Sequence, residues 1–117
     1  MPGDAPAAAG TTVAGYNPEE LMLLSLSECH MLTYLNLAQK ARLVVRAYSD
    51  RASCAVGKGA SGMTQIVEAT LRPRVTVARG TDLAAAHALH ERAHHYCYMA
   101  NSVNFPVSNE PSILEEG

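Results

Sequence analysis

The sequence predicts a single domain of α+β class. A long apolar segment with a capped start, a stretch of β-branched residues repeating every second position, and a second capped segment follow one another as helix, strand, strand, helix. At 117 residues the chain is long enough to bury a core and short for two domains. Charged residues make up 17% of it, below the roughly 25% of an average globular protein, which points to surface covered by a partner.

Residues 1–16, "MPGDAPAAAGTTVAGY", carry almost no large apolar side chain and are expected to form a flexible lead-in to one domain over 17–117. The fold starts at "NPEE". Asn17 caps, Pro18 suits the first helical position, and Glu20 stands where a capping box needs it. From Leu21 to about Lys40, apolar residues including Leu23, Leu26, Met31, Leu32, Tyr34 and Leu37 surround most of the helix circumference, so this helix should be central.

"ARLVVRAYSDRASCAV" then changes to strand-forming residues. After the Gly-rich "GKGASG", Val67, Ala69, Leu71, Pro73, Val75 and Val77 fall on one face of a second strand. Together they form an antiparallel pair in which Pro73 should lie at an edge or a bulge, because it has no N–H to donate. Thr81 and Asp82 open the second helix. Its stripe of Leu89, Ala93, Tyr96, Ala100 and Val103 carries it to Asn101–Asn104, where Pro106 stops it. A short strand is expected near Val107, followed by a loose end. Two strands alone are too few to be stable, so a second subunit or further residues should extend the sheet.

Composition narrows the function. With net charge −2 and scattered basic residues, the chain shows no electrostatic footprint for nucleic acid or an anionic membrane. It has neither a signal-peptide pattern nor an 18-residue apolar run, which leaves the cytoplasm as the expected location. Three cysteines at long spacings do not form a secreted disulfide framework. Cys29 and Cys97 stand late in two long helices, which packed together could bring them within disulfide reach; equally, each could be a small buried hydrophobe. His87, His90, His94 and Cys97 recur at helical spacing, which could hold zinc or could simply be polar residues on a dimer helix. His30 and His95 carry less signal, and Cys54 reads as an incidental thiol in a strand.

The motifs "NPEELMLLSLSECHMLTYL", "TLRPRVTV" and "LHERAHHYCYMANSVNFPV" closely resemble, in order and separation, the OsmC/Ohr superfamily, the osmotically inducible and organic hydroperoxide resistance proteins, and its OsmC-like branch in particular. The resemblance spans residues 15 to about 111. It implies an intertwined homodimer with long central helices wrapped by antiparallel sheet, acting as a thiol-dependent peroxidase on organic hydroperoxides. By motif, Cys29 of "SECH" matches the peroxidatic cysteine, Cys97 of "HHYC" the resolving cysteine and Glu19 of "NPEEL" the active-site glutamate. No resident cofactor or metal is implied; a small-molecule peroxide and an external dithiol reductant are the expected reactants. Leu26, Met22 or Leu32 are expected to line an apolar pocket beside Cys29. The rival reading is a non-enzymatic dimer that binds a small apolar ligand or partner.

Two points depart from the family pattern or strain it. The family's N-terminal strand region contributes an arginine, but the first sixteen residues here hold none, which leaves three expectations open: the chain lacks that strand region through truncation, an arginine such as Arg42, Arg46 or Arg72 substitutes, or the protein is a weak peroxidase. Glu19 and Cys29 are ten residues apart, about 15 Å of rise on one straight helix, so either the helix breaks or a dimer partner supplies the carboxylate.

Overall fold

A computed structural model describes residues 15–117. The lead-in expected over 1–14 lies outside the described residues, while Tyr16 already forms an isolated β-bridge. Helix α1 spans Pro18–Lys40 without a break. Its capping box is formed in full: Asn17 Oδ1 accepts from the Glu20 amide at 2.9 Å, and Glu20 Oε1 accepts from the Asn17 amide at 3.2 Å. At its far end Arg42 takes the left-handed conformation, φ 61°, and the amides of Arg42 and Leu43 reach back to the carbonyls of Gln39 and Ala38. This is a Schellman closure with arginine where glycine is usual.

The strands are β1 (Val45–Asp50), β2 (Ser53–Lys58), β3 (Thr64–Leu71) and β4 (Pro73–Val77), followed by α2 (Leu83–Tyr96), β5 (Val107–Asn109) and β6 (Ser112–Glu115). The expected antiparallel pair exists, but it is a ribbon bent in two. β1 pairs with β4 and β2 with β3, and the bend at Arg51–Ala52 and Arg72 divides it between two sheets. Asp50 fastens the bend: Oδ1 accepts from the Arg72 amide at 2.7 Å, and Oδ2 accepts from the Ser27 hydroxyl of α1 at 2.5 Å. Burial alternates along Leu71, Pro73, Val75 and Val77, as the period-two pattern requires, while Thr70 is buried together with Ala69 and Leu71.

Three expectations change. Pro73 is not at an edge or a bulge: it opens β4, the middle strand of the order β1-β4-β6, a position where the missing N–H is tolerated. The C-terminal end is not loose. β5 adds in parallel to β3 and β6 in parallel to β4, so the chain's own last strands make each sheet three-stranded. Helix α2 stops at Tyr96 instead of 101–104, because the Asn101 side chain donates to the His95 carbonyl at 3.1 Å and the Ser102 hydroxyl to the Tyr98 carbonyl at 2.7 Å; these side-chain bonds compete with helical pairing.

Helix α1 serves both sheets. Its first half places Leu23 and Leu26 against Ala69 and Leu71. Its second half packs Tyr34 and Ala38 with Val75, Val77 and the α2 residues Ala86, Leu89 and Ala93. Within one chain it buries a single stripe, not its whole circumference: Leu32 is 54% exposed, as is Tyr96 on α2 at 58%. No helix among the described residues is long and apolar enough to cross a membrane.

Candidate active site

Cys29 sits midway along α1, at positions of the buried stripe. Cys97 is the residue on which α2 ends; its amide still bonds to the His94 carbonyl, and its extended backbone, ψ 104°, turns the chain off the helix. That early stop puts the two thiols together. Both are free and buried, at 6% and 1% exposure, and they share a side-chain hydrogen bond. Burial pushes the Cys97 thiol up to about 11, and its bond and charge interaction with Cys29 act in the same direction, against partial relief from the Ala100 and Met99 amides. Cys97 therefore stays a thiol at neutral pH and is the natural donor of the pair.

Glu19 is not part of this cluster within the chain. The unbroken helix separates it from Cys29 by about 15 Å. It lies half-buried in a hollow of about 340 Å³ walled by Pro18, Met22, Val56, Thr64, Gln65 and Ile66. There its charge, with those of Glu68 and Glu20, adds to the burial that raises the Cys54 thiol. Of the two routes for the carboxylate, a helix break is removed. Two of the candidate arginines form ion pairs elsewhere, Arg46 with Glu116 at 3.4 Å and Arg72 with Glu110 at 3.3 Å, while Arg42 is exposed in the turn beyond α1.

Among the expected pocket residues, Leu26 belongs to the core and Met22 to the Glu19 hollow. Leu32 lines a groove of about 550 Å³ between the helices, with Thr33, Leu37, Arg92 and Tyr96 among its walls. Thr33, in the same wall, donates its hydroxyl to the backbone carbonyl of Cys29 at 2.8 Å, and neither cysteine lines the groove.

His87, His90 and His94 line one face of α2, as their spacing implies, but at unequal depth. His87 and His95 are exposed, His94 is half-buried, and His90 is 2% exposed. Among the described residues, no group of three or more His, Cys, Asp or Glu is placed to hold a metal ion. Instead, His90 Nδ1 lies 2.9 Å from Nε2 of His30, itself 1% exposed, and Tyr34 stacks on the His90 ring at 4.1 Å. Burial lowers His30 to about 4, partly offset by the Asp50 carboxylate; it lowers His90 to about 3, with His30 and His87 adding to the effect. The sequence marked neither as a buried pair, since nothing in the spacing of residues 30 and 90 links them.

A bent ribbon and two C-terminal strands packed on two helices, with the neighbouring thiols of Cys29 and Cys97, define an α+β protein of OsmC-like fold. The chain belongs to the family of OsmC-like proteins, whose model matches residues 9–111. Comparison with curated protein sequences gives no match. Among solved structures, an OsmC-like protein of unknown function from Vibrio cholerae is 37% identical with a TM-score of 0.79, over 84% of this chain and 65% of its own. This chain thus spans just under two thirds of that relative. An OsmC-like protein from Mycoplasma pneumoniae aligns at 12% identity and TM-score 0.76, over 92% of this chain and 78% of its own. The organic hydroperoxide resistance protein OhrB of Bacillus subtilis aligns at 21% and 0.67, over 93% and 78%.

Proposed function

We propose that this protein is a thiol-dependent peroxidase that reduces organic hydroperoxides in peroxide-stress defence. The observation that carries the reading is the buried, hydrogen-bonded pair of Cys29 and Cys97, the latter held protonated. The Cys29 thiolate attacks the terminal peroxide oxygen; the O–O bond breaks, the alkoxide takes a proton and leaves as alcohol, and Cys29 becomes a sulfenic acid. Cys97 sulfur then attacks the Cys29 sulfur, the hydroxyl leaves with the Cys97 proton as water, and a disulfide forms. An external dithiol restores both thiols by exchange, itself becoming a disulfide.

Leu32, Leu37 and Tyr96 give the groove an apolar wall suited to the organic part of the hydroperoxide. A homodimer would cover the exposed apolar side of α1 and could bring the Glu19 carboxylate of a second copy to each thiol pair. A reducing cytoplasm suits the free cysteines. The test is intact mass and non-reducing peptide mapping of reduced protein after one equivalent of cumene hydroperoxide, beside a Cys29→Ser control. A Cys29–Cys97 disulfide absent from the control is expected. Thiols unchanged over minutes would overturn the reading and leave a dimer that binds a small apolar ligand.

A further inference from the structure

Helices α1 and α2 meet along an apolar seam, Tyr34 and Ala38 of the first packing with Ala86, Leu89 and Ala93 of the second. The alanines leave that seam smooth, and apolar packing has no direction along the axis: a slip that buries the same area costs little. The thiols are less tolerant. One residue of slip moves α2 by about 1.5 Å, whereas a disulfide needs its Cα atoms about 4.4–6.8 Å apart. Cys97, the residue on which α2 ends, takes up such a slip in full.

Two directional contacts fix the register. Tyr34 donates its hydroxyl to the Ala86 carbonyl at 2.8 Å, and His30 Nε2 meets His90 Nδ1 at 2.9 Å. The Tyr34 ring lies on the His90 ring, with centroids 4.1 Å apart and planes 19° from parallel, so the two contacts brace one another. His30 follows Cys29 directly in the chain, and His90 stands about two helical turns ahead of Cys97. Stability gives a poor account of these histidines: His90 Nε2 is buried with no hydrogen-bond partner among the described residues, and a buried imidazole left half satisfied costs more than an apolar side chain of similar bulk. What the pair adds is direction. We propose that His30, His90 and Tyr34 are positioning residues that set the register of α2 on α1 and so hold the Cys97 sulfur within bonding reach of Cys29. The role rests on the two-cysteine reading above and is exerted through the cysteines, not on the peroxide.

The test equilibrates the full-length protein in glutathione buffers of graded disulfide-to-thiol ratio, quenches with an alkylating agent and measures the Cys29–Cys97 disulfide by peptide mass. Each protein dithiol oxidised converts one glutathione disulfide into two glutathiones, so the equilibrium constant reports how well the thiols are placed, with no peroxide involved. A loss of stability common to both redox forms leaves that constant unchanged while the protein is folded. His30→Leu removes the bond and keeps an apolar side chain of similar size; it should lower the constant roughly tenfold, about 30 mV in potential. His30→Gln, whose amide stands where Nε2 stood, should bring it back close to the native value. Tyr34→Phe keeps the ring and the fold, and should lower it about threefold through loss of the Ala86 bond alone. An unchanged constant in Tyr34→Phe and in folded His30→Leu would overturn the proposal, and so would a glutamine variant as poor as the leucine one. A native protein that forms no Cys29–Cys97 disulfide at any ratio would overturn the two-cysteine reading, and the positioning role with it.

Discussion

His30 Nε2 and His90 Nδ1 meet at 2.9 Å in the core, joining α1 to α2 through two imidazoles that burial keeps uncharged. One proton serves the contact, and a second can enter only as a buried charge. Both histidines titrate lower in the folded state than the ordinary 6.5, at about 4 and about 3. The unfolded chain therefore binds more protons in that window, and the stability these groups confer is present above pH 6.5 and lost as pH falls toward 4 and 3. The slope approaches about 1.4 kcal/mol per pH unit for each group. Thermal melts across pH 7.5 to 4 should show a midpoint that is level at the top and then drops steeply. A level midpoint down to pH 4.5 would refute this.

The two cysteines should fail differently. Cys29→Ser removes the attacking sulfur and should end hydroperoxide consumption. Cys97→Ser leaves the first step intact, so one equivalent of alcohol is released and a sulfenic acid persists, detectable by dimedone labelling and mass. Steady turnover with a dithiol donor should fall by a hundredfold or more in both variants. Full turnover in Cys97→Ser would show that resolution does not use this pair.

Asp50 holds the bend between the sheets through Ser27 and the Arg72 amide. Asp50→Ala strands that amide and should destabilise the fold by about 1–3 kcal/mol, whereas Ser27→Ala removes one partner only and should cost about 0.5–1.5 kcal/mol. Urea unfolding of the two variants measures the difference. Equal losses would mean that the Arg72 amide finds another acceptor.

Arg42 occupies a left-handed position at φ 61° where a side chain costs about 1–2 kcal/mol. Glycine removes that strain but adds freedom to the unfolded chain, worth about 0.4–1 kcal/mol in the other direction. Arg42→Gly should therefore stabilise by roughly 0.5–1 kcal/mol, read as a rise in urea midpoint at unchanged slope.

Helix starts were legible in the sequence because their signals are local: Asn17 and Asp82 cap as their spacing implies. The strand face was legible for the same reason, since alternation from Leu71 to Val77 survives the bend at Arg72. The bend itself was not, because it rests on Asp50 meeting Ser27 and Arg72, partners 22 and 23 residues away. The end of α2 was misplaced since Asn101 and Ser102 take carbonyls that a periodicity argument assigns to the helix. Cys29 and Cys97, which family motifs single out, lie close enough in the fold for Cys29 to raise the Cys97 thiol. The His30–His90 pair, which depends on packing alone, left no periodic trace, and neither did the parallel pairing of β5 and β6.

Those last two strands set a schedule. β3 and β4 are synthesised about thirty-five residues before the β5 and β6 that flank them in each sheet. At the usual 5–20 residues per second, both sheets wait seconds on the ribosome with one edge open. Parallel pairing at such sequence separation is also among the slower steps of folding. The nascent chain therefore passes through an interval in which β3 and β4 can recruit foreign strands, and a chaperone has most to protect between the synthesis of Val77 and that of Glu115.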